Sequence, residues 1–217
     1  LAIYEENSTV TDLTLQKRNK ERLNIFLDGE YAFSLTISIA SGLSIGKILT
    51  PSDIDRLQTE DAFEKAKQSA YRYLSFRPRS TKEIERNLSR KGFDETTVER
   101  VINRLFELEL VNDRTFAQYW IEQRETFKPR GHRALRHELY QKGIDREIVD
   151  SVLILVDEES AARRAGQKKV RLWSQLPRDD FFKKMSSFLQ RRGFNYEITR
   201  SVTNELWNTI EEDGSGD

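Results

Sequence analysis

The 217-residue sequence contains no cysteine, which excludes disulfides, zinc–thiolate sites and a thiol nucleophile. Its two histidines, His132 and His137, lie roughly 140° apart around a helix, the wrong spacing for two ligands on one face. The four prolines, Pro51, Pro78, Pro129 and Pro177, all precede or open stretches that read as helices. No run approaches the roughly 18 apolar residues of a membrane span and no signal-peptide pattern is visible, so the chain reads as soluble and cytoplasmic. It begins on Leu1 rather than Met, which leaves room for a longer start. No P-loop, dinucleotide fingerprint or nucleophile elbow occurs. The carboxylates sit at helix starts and on polar faces, where capping and solvation explain them. The expectation is a non-enzyme with no cofactor, no metal and no small-molecule substrate.

What is present is repetition. "LSRKGFD" (Leu88–Asp94), "LYQKGID" (Leu139–Asp145) and "LQRRGFN" (Leu189–Asn195) place Gly92, Gly143 and Gly193 at steps of 51 and 50 residues, a period of tandem supersecondary units. Four and eight residues before each glycine lie Leu88 and Ile84, Leu139 and Leu135, and Leu189 and Met185, one apolar stripe on a helix that stops at the glycine. A glycine there suits the left-handed residue of a helix end, and the apolar Phe93, Ile144 or Phe194 after it folds back on the last turn. Asp94, Asp145 and Asn195 then serve as N-caps of a further helix. That helix carries Val101 and Leu105, Val152 and Val156, or Val202 and Leu206.

Upstream of each stripe stands a Pro-Arg pair, Pro78-Arg79, Pro129-Arg130 or Pro177-Arg178; in the first unit Ser80 and Glu83 have the spacing of a capping box. Before each pair runs another helical pattern: Phe63, Ala66, Ala70, Tyr73 and Leu74; Phe116 and Trp120; Ala162, Ala165 and Trp173. Each repeat therefore reads as helix, Pro-Arg linker, helix, glycine turn, helix.

The first sixty residues differ. Leu23, Ile25 and Leu27 alternate up to Asp28-Gly29, after which Tyr31, Phe33 and Leu35 alternate, a β-hairpin with a type I′ turn. Thr9–Leu15 is a candidate third strand, and Thr50 with Pro51 starts a helix. The fold class is mostly α: three tandem three-helix repeats in an elongated, curved array behind a small β-hairpin module. The segments are 1–59 for the module, 60–110, 111–157 and 158–210 for the repeats, and a disordered acidic tail at 211–217.

The formal net charge is zero, yet it is segregated. Arg72–Lys91, Arg124–Lys142 and Arg163–Arg192 carry net +5, +4 and +8, whereas Asp94–Asp113, Ile144–Ser160 and Gly193–Asp217 carry −4, −5 and −5. Each repeat thus has a basic middle helix and an acidic last helix. A basic stripe able to meet phosphates or an acidic protein surface is one reading; solvated faces, or pairing of one repeat's basic face with the next one's acidic face, is the other. Trp120, Trp173 and Trp207 are read as core, because base-stacking platforms must be exposed beside the basic stripe. Three function classes stay open: a regulator laid along a macromolecular assembly, a direct nucleic-acid binder, and a passive scaffold.

The second repeat, "LVNDRTFAQYWIEQRETFKPRGHRALRHELYQKGID" (Leu110–Asp145), resembles the hallmark repeat of the bacterial RecX regulatory proteins. Asn112-Asp113, Phe116-Ala117, Trp120, Arg124, Arg130-Gly131, Glu138-Leu139 and Lys142-Gly143-Ile144 carry the likeness. Tyr71–Asp94 and "FLQRRGFN" support it, and "NIFLDGEYAFSL" (Asn24–Leu35) is similar to the hairpin extension of the Gram-positive type. The third repeat departs most, lacking a glycine after its Pro-Arg.

The resemblance implies a role in recombination, DNA repair and the SOS response. It implies binding to the recombinase RecA and its filament on single-stranded DNA. RecA's strand exchange, ATPase and co-protease activities would be restrained by lodging in the filament groove or capping its growing end. The alternative is a basic helical-repeat protein that acts on DNA directly. In either case the expected contacts are Arg79, Lys82, Arg86, Arg130, Arg133, Arg136, Arg178, Lys183 and Lys184. For Arg79, Arg130 and Arg178 the competing role is to tie the linker to a neighbouring acidic helix.

Overall fold

The computed structural model of the protein describes residues 5–214. Strands β1 (Ser8–Leu15), β2 (Arg22–Leu27), β3 (Glu30–Thr36) and β4 (Ile48–Leu49) form an antiparallel sheet in the order β3-β2-β1-β4. A short helix, α1 (Ile37–Ala40), follows β3. Asp28 and Gly29 both have positive φ, 51° and 92°, as a type I′ turn requires. The core beneath the sheet comprises Val10, Ile25, Leu27, Phe33, Leu35 and Leu49, with Ile54 and Leu57 from the next helix. Tyr31 leaves the expected alternation. The β2–β3 register shifts after Ile25, so that Phe26 faces Tyr31 while Ile25 faces Phe33. The slip turns Tyr31 outward against Phe26, edge to face at 5.9 Å.

Helix α2 (Pro51–Leu74) begins in a full capping box: Thr50 Oγ1 accepts from Asp53 N–H at 3.2 Å and Asp53 Oδ2 accepts from Thr50 N–H at 3.1 Å. It then runs unbroken across residues 59 and 60, where a module boundary was expected, because no glycine or proline interrupts the stretch. Asp61, in its middle, is buried. Its carboxylate accepts from Arg22 Nη1 and Nη2 (3.2 and 3.1 Å), Thr36 N–H (2.7 Å) and Thr36 Oγ1 (2.8 Å), and pairs with Lys65 (2.7 Å). These bonds pin the helix to the sheet.

The remaining helices are α3 (Thr81–Arg90), α4 (Glu95–Glu107), α5 (Asp113–Phe127), α6 (His132–Gln141), α7 (Arg146–Leu153), α8 (Glu158–Trp173), α9 (Arg178–Arg191) and α10 (Tyr196–Gly214). They fall into the trios α2–α4, α5–α7 and α8–α10. By packing there are two compact units. One runs to Arg77 and includes Ile84–Leu110; the other joins Pro78–Glu83 to the chain from Val111 onward. In the first, Arg100 of α4 bonds Glu60 of α2 at 2.8 Å and lies over the Phe63 ring. In the second, Phe116, Ala117, Leu135, Leu139, Val149 and Val152 form one core and Ala162, Ala165, Phe181, Met185, Leu189, Val202 and Leu206 another. Helix α10 reaches Gly214, so 211–214 are helical rather than disordered; Trp207 Nε1 donates to Glu211 at 2.7 Å. Residues 215–217 lie outside the described residues.

The three middle helices end identically. Gly92, Gly143 and Gly193 have φ of 87°, 78° and 88°, and Phe93, Ile144 and Phe194 N–H reach back to the carbonyls of Leu88, Leu139 and Leu189. This is the Schellman arrangement. Asp94 and Asn195 cap the following helices through their side chains. Asp145 holds the cap position but makes no side-chain cap bond, contrary to expectation.

In the second unit each glycine turn also rests on an earlier segment. A Cβ on Gly143 would lie 2.4 Å from Lys82 Cβ, and one on Gly193 would lie 2.5 Å from Ala134 N. Ser80 Oγ donates to the Lys142 carbonyl (2.7 Å); at the equivalent place Gly131 N–H donates to the Arg192 carbonyl (3.0 Å). A carboxylate opening the next repeat completes each junction: Asp113 accepts from Thr81 N–H (2.8 Å) and Glu158 from His132 N–H (2.9 Å).

These contacts separate two effects by substitution. Gly92→Ala meets open space and carries only the left-handed strain, about 1–2 kcal/mol. Gly131→Ala keeps an ordinary φ of −77° but drives Cβ to 2.3 Å from the Gly193 carbonyl oxygen, at about 1–3 kcal/mol. Gly193→Ala suffers both, and urea unfolding should rank it least stable of the three.

A second prediction concerns acid. Burial pushes the Asp61 carboxyl up, but the bonds from Arg22, Lys65 and Thr36 outweigh it and hold its pKa below the ordinary 3.8. A depressed folded value means that its stabilisation is full above about pH 4 and is lost as pH falls through the folded pKa. The stability gap between wild type and Asp61→Asn, measured from pH 6 down to 2, should therefore shrink only below pH 4.

Candidate partner-binding surface

The nine cations expected on the middle-helix side divide by what they touch. Arg130 is half-buried, with Nε 3.5 Å from Glu138 Oε1 and no hydrogen-bond partner of its own at that atom. It is a structural tie. Arg136 pairs with Asp150 of α7 at 3.2 Å, so a basic helix meets the acidic helix of its own repeat. Arg178 lies 4.8 Å over the Phe182 ring. Arg79 is half-buried in its linker, while Lys82 and Arg86 are exposed on α3, the stem of Lys82 forming the seat of Gly143. Arg133 on α6 and Lys183 and Lys184 on α9 are exposed and form no ion pair among the described residues.

Arg133 and Arg136 share a cleft of about 510 Å³ with His132, Gln190, Asn195 and Tyr196. His132 does not face His137. Its Nδ1 lies 3.4 Å from Glu158, whereas His137 Nε2 lies 2.9 Å from Gln141. Among the described residues no group of three or more His, Asp or Glu could hold a metal ion, and no helix is long and apolar enough to cross a membrane.

The residues that make the second repeat distinctive converge on one carboxylate. Glu138 Oε2 accepts from Trp120 Nε1 (2.8 Å) and Arg124 Nε (2.7 Å), and Oε1 faces Arg130. The Arg124 guanidinium and the Lys142 ammonium lie over the Trp120 ring, 4.6 and 4.7 Å from its centroid, and the ring is stacked with Phe116. Lys142 in turn pairs with Glu83 at 2.5 Å. Trp120, Trp173 and Trp207 all pack against the cores, as read from the sequence.

The residue before each turn glycine is not among the nine expected cations, yet each one makes a specific contact. Lys91 reaches Ser69 Oγ at 2.5 Å, Lys142 joins the Trp120 cluster, and Arg192 covers the Phe188 ring while donating to the Pro129 carbonyl at 3.0 Å. Burial, together with the nearby Arg130, pushes the Arg192 pKa down. The signal lies in the sequence, since all three quoted stretches read basic-glycine-apolar.

The candidate site is therefore an extended surface. Arg124 and Arg130 are tied inward around Glu138, whereas Lys82, Arg86, Arg133, Arg178, Lys183 and Lys184 are exposed. Such cations attract and orient an anionic partner.

Four family models match the chain: "Regulatory protein RecX N-terminal domain" over residues 8–50, and the first, second and third three-helix domains of RecX over 66–105, 112–153 and 157–203. The chain is 31% identical over 204 residues to Regulatory protein RecX of Clostridium tetani, covering 91% of this chain and 94% of that one. It is 32% identical to the Bacillus pumilus protein of the same name, covering 94% and 80%. A crystal structure of regulatory protein RecX superposes with a TM-score of 0.69 at 25% identity over 91% of this chain and 99% of that one. RecX from Lactobacillus salivarius superposes with 0.61 at 27%, over 68% and 97%.

Removing the shared carboxylate should leave two donors, Trp120 Nε1 and Arg124 Nε, unsatisfied and the Arg130 charge without its ion-pair partner. Glu138→Ala is expected to lower stability by about 2–3 kcal/mol, and Glu138→Gln by less, since an amide oxygen still accepts from Trp120. Denaturant unfolding followed by tryptophan emission measures both.

Proposed function

The chain belongs to the RecX family of regulatory proteins, and on that premise we propose that it binds RecA assembled on single-stranded DNA and inhibits its recombinase, ATPase and co-protease activities. The observation that carries this reading is the family match, which extends through the N-terminal module and all three helical repeats. Two features support it. The middle helices expose cations, and tandem repeats suit a partner that is itself a repeating assembly. The protein acts in the cytoplasm, where it lodges in the filament groove or caps the growing end. Arg79, Lys82, Arg86, Arg133, Arg136, Arg178, Lys183 and Lys184 supply the partner-facing charge, and Arg130 contributes through Glu138.

A second reading, direct action on DNA, is favoured by the net charges of +5, +4 and +8 on the three basic segments. The ATPase rate of RecA on single-stranded DNA, titrated with this protein at fixed salt, decides between them. Inhibition at well below one molecule per RecA supports a regulator that caps ends. Inhibition that saturates near a fixed ratio to RecA supports groove binding. Loss of RecA activity only at concentrations that coat free DNA would reverse the assignment. Combining Arg133→Glu, Lys183→Glu and Lys184→Glu, all exposed, should raise the half-inhibitory concentration on the order of tenfold with helical content unchanged. An unchanged titration would remove these cations from the interface.

A further inference from the structure

Two phenylalanines stand out against the cores. Phe76 is 77% exposed and Phe127 73%, among the most exposed large apolar side chains of the chain. A single exposed phenylalanine is ordinary. These two occupy the same place in successive repeats, 51 residues apart, in the matching strings Phe76-Arg77-Pro78-Arg79 and Phe127-Lys128-Pro129-Arg130. Each forgoes the stabilisation that burial of such a side chain contributes. Phe127 closes α5 and Phe76 follows the cap of α2, so each ring projects at a helix end where the chain turns into the Pro-Arg linker. The third repeat has Gln175 at this position, before Leu176-Pro177-Arg178.

The surroundings specify the occupant. Arg72, one helical turn before Phe76, and Lys128, next to Phe127, are exposed, and the sequence around each ring carries net positive charge. Positive charge selects a polyanion, and an unpartnered ring selects a flat apolar face. Nucleic acid whose bases are unpaired offers both at once, whereas a duplex hides its base faces in the stack. The tryptophans are unavailable for this purpose, because all three pack against the cores.

We propose that Phe76 and Phe127 are each a stacking platform for unpaired bases of single-stranded nucleic acid, with the neighbouring cations holding its phosphates. The inference goes beyond restraint of RecA and does not require it, so it is tested with RecA absent.

The experiment is fluorescence anisotropy at several salt concentrations, using a 5′-labelled oligodeoxythymidine and an abasic strand of the same length. Wild type should prefer the base-bearing strand. Phe76→Ala and Phe127→Ala should each weaken binding to it about tenfold, leave abasic binding alone, and leave the salt slope unchanged, because no phosphate contact is lost. Phe127→Trp should keep the affinity and show emission quenched by the strand. The proposal is overturned if wild type does not bind or shows no preference for bases, or if the alanine variants bind like wild type. It is equally overturned if their loss is the same on the abasic strand. Variants that bind the strand normally but no longer restrain RecA would assign the two rings to a protein contact instead.

Discussion

The left-handed turns after α6 and α9 are asked to satisfy two demands that only glycine meets together, whereas the turn after α3 faces the first alone. One is conformational: positive φ closes α3, α6 and α9 in the same Schellman geometry. The other is spatial: in the second unit Gly143 and Gly193 lie so close to an earlier helix start that no side chain fits between them. The surrounding hydrogen bonds depend on that approach. Only when the turn is seated do the last carbonyls of α6 and α9 meet Ser80 and Gly131, and only then do Asp113 and Glu158 reach the N–H groups of Thr81 and His132. The two junctions use different donors, a hydroxyl in one and a peptide N–H in the other, to serve the same acceptor position.

Part of the segregated charge is answered inside the molecule. Arg124, Arg130 and Lys142 are drawn around Trp120, Glu138 and Glu83, Arg136 reaches Asp150, and Arg163 forms a two-point bond with Glu205 at 2.6 and 2.9 Å. Within the second and third repeats the basic and acidic segments thus meet at Arg136–Asp150 and Arg163–Glu205. The remainder is the part of the pattern available to a partner. A chain of zero net charge can still present local positive surface, because the compensating carboxylates are committed elsewhere.

The sequence exposed the elements whose cause is local. The period, the turn glycines, the Thr50 cap and the Asp28-Gly29 hairpin follow from properties of a few adjacent residues. Features set by tertiary contact were not visible in the same way. Asp61 looks like any solvated helix carboxylate until Arg22 and Thr36 arrive from the sheet. The bulge that turns Tyr31 outward depends on how two strands choose their register. The continuity of α2 was readable, since nothing in the stretch stops a helix, but the change of pattern from strand to helix suggested a border instead. Among the candidate contacts the sequence showed which residues were basic. It could not show that Arg130 is spoken for by Glu138 while Lys183 and Lys184 form no ion pair among the described residues.

That continuous α2 carries a mechanical meaning. A helix of 24 residues is a rod of about 36 Å. Near its start Ile54 and Leu57 are sunk into the sheet's core, at its middle Asp61 is bolted to Arg22, and alongside it Glu60 and Phe63 engage Arg100 of α4. The N-terminal sheet is therefore no pendant domain on a tether. A load or twist applied to the hairpin passes along a single shaft into the first helical trio, so any contact the sheet makes is felt directly by the helices to which it is geared.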